Sequence, residues 1–124
     1  MRRTLREDKR IHKAVVVAGV ADCSMSYEER SDMQPLLKEL IGGTPKQLPE
    51  EYEKRSAVAW ADQINTPLLI FHTTGDDKVS VKQADKLVEQ LKKYQKDYEY
   101  VTFDSHVHGD LRKTDVEKIH KWLQ

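Results

Sequence analysis

Three short apolar stretches constrain this chain more than any other feature: AVVVAGV at 14–20, PLLIFHT at 67–73 and YEYVTFD at 98–104. Each is strand-sized and rich in β-branched or aromatic side chains. The first two are apolar at nearly every position. A strand with one wet face alternates, so a continuous run predicts a strand covered on both faces, as in a parallel sheet. Strands are therefore expected over Ala14 to Gly19, Leu68 to His72 and Glu99 to Phe103.

Helical spacing fills the intervals. VKQADKLVEQLKKY, 81–94, sets Val81, Ala84, Leu87, Val88 and Leu91 on one face, with Ser80 as an N-cap. Thr114 to Leu123 forms a second helix with Val116, Ile119, Trp122 and Leu123 as its apolar stripe. Asp115 early and Lys118, His120 and Lys121 late suit the helix dipole. Asp32 to Ile41 reads as a short helix stopped at Gly42 and Gly43. Pro49 to Arg55 reads as another, with proline at its first position. The opening RRTLREDKRIHK reads as the tail of a helix, and Asn65-Thr66-Pro67 as a turn into the second strand. Strand, excursion, strand, helix, strand, helix implies an α/β fold: a three-stranded parallel sheet flanked by helices, with right-handed crossovers.

At 124 residues the chain is one domain by length. Lys plus Arg and Asp plus Glu number 21 each, a balance that argues against a nucleic-acid partner. The apolar runs are too short to span a bilayer, and MRRTLREDKR lacks a signal peptide's apolar core. The single Cys23 excludes an internal disulfide, and the expectation is a cytoplasmic protein.

In parallel sheets, sites form at the carboxyl ends of strands. Two polar clusters fall there: HTTGDDKV at 72–79 and FDSHVHGDL at 103–111. His106-Val107-His108-Gly109-Asp110 has the H-x-H-x-D pattern of a metallo-hydrolase, since imidazole and carboxylate are good zinc ligands. Leu111 stands where a closing histidine is expected, and only one helix follows to supply more. The reading is no dedicated metal site and no cofactor.

Asp76 and His108 follow neighbouring strands about 4.8 Å apart, close enough for a carboxylate to meet an imidazole. Asp76 would fix the tautomer of His108 and stabilise its imidazolium, with the Asp-then-His order of the α/β-hydrolase triad. Aspartates after strands more often cap helices or form turns. Cys23 and Ser24 follow the first strand, but neither sits in a G-x-S-x-G elbow, and the sequence has none. Free cysteine is usually a small buried hydrophobe. Trp60 and Trp122 read as core, and His12, His72 and His120 as structural or surface residues. Lys86 to Lys96 reads as a solvated helix face.

From about Lys13 to Gln124 the chain resembles the C-terminal half of the catalytic domain of the prolyl oligopeptidase family, serine peptidase family S9, in the α/β-hydrolase superfamily. The segment YEKRSAVAWADQINTPLLIFHTTGDDKVSVKQADKLVEQL carries most of the likeness. Tyr52, Ser56, Ala61, Ile64, Pro67 and His72 occupy the places of that family's Y-x-x-x-S-P-x-x-x-A-x-x-I-x-x-P-L-L-I-x-H-G pattern. The resemblance implies that Asp76 is the triad aspartate, with Val79 and Gln83 behind it. It implies that His108, in the pair His108-Gly109, is the triad histidine. The departures are Thr73 where glycine is usual, Ala57 where proline is usual, and Asp104-Ser105-His106 in place of a glycine-rich lead.

In this family the nucleophile elbow and oxyanion loop lie upstream of the part that matches. The expectation is thus residues 1–124 as the C-terminal portion of an α/β-hydrolase domain: Asp76 and His108 present, the serine nucleophile absent. The function expected is peptide or ester hydrolysis by a Ser-Asp-His triad in the complete protein, with no turnover by the chain alone. The alternative is a non-catalytic interaction module. A strand as apolar as Val15 to Val17 at an open edge invites pairing, so a homo-oligomer joined near it is expected.

Overall fold

The computed structural model describes residues 12–124. The helix tail read from the opening residues lies almost wholly outside them. Three strands, β1 (Ala14–Val17), β2 (Leu68–Thr73) and β3 (Tyr98–Phe103), form a parallel sheet in the order β1-β2-β3. The register pairs Val16 with Ile70 and Ile70 with Tyr100. All three strands lie where their apolar runs predict them, with shifted ends. β1 stops at Val17 rather than Gly19 because Ala18 turns into the left-handed region at φ 52°.

The central strand is buried at every position. Leu68 and Ile70 share a core with Ala84, Leu87 and Leu91 of helix α4 (Val81–Lys93) and with Trp60, Ala61 and Ile64. Each fully buried leucine or isoleucine there contributes about 1.5–3 kcal/mol. Ser80 accepts from the Lys82 N–H and caps the helix as expected. The outer strands are only partly covered, and Val17, at 36% exposure, ends β1 in the open. Among the described residues no strand lies beyond β1.

The excursion after β1 holds one helix that its sequence did not announce, α1 (Cys23–Glu29). It is short and mostly polar, so it has no apolar stripe to detect. Its signal is the N-cap: the Asp22 carboxylate accepts from the Met25 N–H. A tight turn over Ser31–Met33 leads into α2 (Gln34–Ile41), which starts later than expected because Pro35 is tolerated only in a helix's first turn. Gly42 ends it at φ 107°, as its glycine pair implies. Helix α3 (Pro49–Lys54) follows, then two short turns at Ala57–Ala59 and Ala61–Gln63.

The excursion is fastened to the sheet by Gln83, which is fully buried on α4. Its Oε1 accepts from the Ala21 and Asp22 N–H groups at 3.0 Å each, and its Nε2 donates to Ser26 Oγ at 2.7 Å. Helix α5 (Lys113–Trp122) follows β3. The Arg112 backbone N–H and its guanidinium both donate to Asp115. The predicted apolar stripe of this helix is only half used: Val116 and Leu123 stay exposed. Leu36 and Leu40 of α2 are exposed as well.

Candidate active site

The carboxyl ends of β2 and β3 carry two loops that stay paired beyond the strands. Thr74 N–H donates to Phe103 O and Gly75 N–H to Ser105 O, both at 3.0 Å. Thr74 Oγ1 donates to Asp104 Oδ1 at 2.6 Å, and Thr73 Oγ1 donates to Val107 O at 3.1 Å. Gly75 permits this close approach: a Cβ on it would crowd the Ser105 carbonyl oxygen at 3.0 Å. The parallel ladder thus runs on as a zipper, and it delivers Asp76 to His108.

The distance from Asp76 Oδ2 to His108 Nδ1 is 2.8 Å. The Asp76 side chain is fully buried, whereas the His108 side chain is 41% exposed. A carboxylate only accepts, so Nδ1 carries a proton, and in the neutral ring Nε2 keeps the lone pair. That is the tautomer a general base needs.

Asp76 is also a turn former, and its two oxygens divide the work. Oδ1 accepts from the Lys78 and Val79 N–H groups at 2.8 and 2.9 Å. Oδ2 is left for the imidazole. Burial works to raise the Asp76 carboxyl, but the Val79 and Lys78 N–H groups and the His108 ring outweigh it. The net result holds Asp76 below the usual carboxylate range, ionised at neutral pH.

His72 is a neighbour that sequence reasoning left as an isolated structural residue. Its buried ring donates from Nε2 to Val79 O at 2.8 Å and lies 3.5 Å from Asp76 Oδ2. It therefore braces the turn that Asp76 closes. The sequence hint was its place in the family pattern just ahead of Asp76, which gave it no role; a spacing of four residues is no signal outside a helix.

The remaining candidates go elsewhere. Asp104 accepts from Thr74, and Asp110 Oδ2 accepts from Ser105 Oγ at 3.0 Å, so both shape the loop. His106 is exposed. Among the described residues no three His, Cys, Asp or Glu side chains converge on a point where a metal could sit. Cys23 Sγ donates to Arg55 O at 3.2 Å, and burial pushes its thiol up, away from the thiolate that would be nucleophilic. Ser24 lines a cleft with Asp22, Glu53 and Lys86. Trp60 is in the core, while Trp122 is half-buried with Lys13 over its ring.

The prolyl oligopeptidase family model matches residues 3–124. The uncharacterized peptidase YtmA of Bacillus subtilis is 35% identical over 109 residues, covering 86% of this chain and 42% of that protein. Among solved structures, a puromycin-hydrolyzing peptidase of Mycobacterium tuberculosis superposes at TM-score 0.83 and 24% identity, over 95% of this chain and 18% of that one. An acylaminoacyl peptidase of Pyrococcus horikoshii does so at TM-score 0.79 and 22% identity, over 98% and 20%. The chain spans less than half the length of each of these proteins. The structural likeness establishes a partial α/β-hydrolase sheet. A family match over nearly the whole sequence, a Bacillus peptidase 35% identical over 86% of the chain and this fold agree: the chain belongs to the prolyl oligopeptidase family.

Proposed function

We propose that this chain supplies the general base and its orienting carboxylate to a serine hydrolase that cleaves peptides or esters. The observation that carries the reading is the 2.8 Å contact between a buried, ionised Asp76 and the Nδ1–H of a part-exposed His108. In the reaction, His108 Nε2 accepts the serine hydroxyl proton as the oxygen attacks the scissile carbonyl. The same nitrogen then returns that proton to the leaving group. Asp76 stays ionised throughout and stabilises the imidazolium.

The sequence contains no G-x-S-x-G, so nucleophile and oxyanion donors come from outside residues 1–124. A base without an acyl acceptor turns nothing over. The chain alone is therefore inactive, and the complete polypeptide is a cytoplasmic peptidase. The test is ester and peptide hydrolysis by the natural polypeptide that contains this segment. His108→Ala should lower kcat by about six orders of magnitude, as loss of a triad histidine does. Activity that survives His108→Ala, or that the isolated chain shows and His108→Ala leaves unchanged, refutes the assignment.

The half-covered first strand favours a second element of the reading. With Val17 and Val20 exposed at the end of β1, its outer edge is the place where the isolated chain would add a second copy.

A further inference from the structure

We infer that Thr73 is a positioning residue for the His108 imidazole, acting through the backbone of Val107. The inference rests on the proposed role of His108 but makes its own claim about geometry. Thr73 ends β2 and is 2% exposed. Here Oγ1 crosses to the neighbouring loop, and because a carbonyl oxygen only accepts, the hydroxyl donates to Val107 O at 3.1 Å.

The loop it reaches needs holding. Residues 106–109 are exposed, and Gly109 sits at φ 73° with nothing within 4 Å of where its Cβ would be. Burial therefore does little to fix this tip. The Val107 carbonyl receives the Thr73 hydroxyl and, more weakly, the Asp110 N–H at 3.4 Å, while the Val107 N–H turns back to Ser105 Oγ. The Ser105 and Asp110 contacts are local to the loop and move with it. The Thr73 contact ties the loop to the buried central strand, one residue before the imidazole. Asp76 leaves the same strand three residues after Thr73. One strand end thus sets both members of the pair, and the position of His108 relative to Asp76 does not depend on the exposed tip alone.

Losing one such hydrogen bond should lower the ratio of paired to unpaired His108 roughly two- to tenfold. The test is ring nitrogen NMR of the 124-residue chain with Thr73, Thr73→Val or Thr73→Ser. In the unaltered chain the neutral His108 ring should carry its proton on Nδ1. Thr73→Val, which keeps the shape and removes the hydroxyl, should shift the ring toward a mixture of tautomers by that factor. Thr73→Ser should restore the Nδ1–H form. Amide protection of Leu69 and Leu87 should be the same in all three. An unchanged tautomer in Thr73→Val overturns the inference. So does a Thr73→Ser chain as perturbed as Thr73→Val, or lost protection at Leu69, which would make Thr73 a support of the sheet and not of the loop. A chain that shows no Nδ1–H preference to begin with overturns it together with the Asp76–His108 pairing. Loss of the functional reading alone would show differently, as hydrolysis by the complete polypeptide that ignores His108→Ala while the Thr73 series behaves as stated.

Discussion

Replacing Asp76 by alanine and by asparagine separates its turn-forming role from its partnership with His108. Alanine removes both oxygens. The Val79 N–H is then left in a buried residue without its acceptor, at a cost of about 1–3 kcal/mol, while water can reach the exposed Lys78 N–H. The charge-assisted bond to His108 is lost as well. Because the His108 ring is 41% exposed, that bond is discounted to about 0.5–1 kcal/mol. Asp76→Ala should therefore cost about 1.5–4 kcal/mol. Asparagine keeps a carbonyl oxygen for both N–H groups and loses only the charged contact, so Asp76→Asn should cost about 1 kcal/mol. Its amide NH2 would then face His108 Nδ1 as a donor. The ring must turn its proton to Nε2, the tautomer that cannot serve as base. Urea denaturation followed by far-UV circular dichroism measures the stabilities, and ring nitrogen NMR reads the tautomer. Equal costs for the two variants, or an asparagine variant with its His108 proton still on Nδ1, would refute the division of labour between the two oxygens.

Acid should destabilise the fold in a defined window. Asp76 and Asp115 both titrate below their unfolded values, Asp115 first through its hydrogen bonds from Arg112. A lowered folded pKa gives stability that is complete above the unfolded value of about 4 and is lost as pH falls through the folded one. The urea midpoint carried by these groups should hold down to about pH 5 and drop below about pH 4; a midpoint that rises there contradicts the assignment. Gln83→Leu strands the buried N–H groups of Ala21 and Asp22 and should cost about 2–4 kcal/mol, whereas a cost under about 0.5 kcal/mol in the same melts would show that water replaces the amide. Sedimentation velocity at micromolar concentration should find the isolated chain larger than a monomer and Val17→Lys shifted toward one. A stable wild-type monomer would dismiss the β1 edge as a docking strand.

Much of the architecture was legible because it depends on short-range patterns. The unbroken apolar runs marked β1 and β2 as strands, though only β2 is covered on both faces, the spacing of Ala84, Leu87 and Leu91 marked α4, and Gly42 marked the end of α2. Helix α1 was missed because seven mostly polar residues carry no periodicity. The end of β1 was misplaced because a left-handed Ala18 has no sequence signature.

The candidate site divides along the same line. Chain order and the rule that sites gather at strand ends only suggested Asp76 and His108, since an aspartate after a strand more often forms a turn; the family resemblance of the segments around them is what singled the two out. The sequence could not disclose which oxygen of Asp76 holds the turn and which meets the imidazole. Nor could it disclose that His72 stands 3.5 Å behind that carboxylate, that Thr73 reaches Val107, or that Gln83 bridges to Ala21 and Asp22. Those contacts join residues far apart along the chain or turned toward each other by a loop. They exist only once the fold brings these segments side by side, because a hydrogen bond depends on tenths of an ångström that no local pattern encodes.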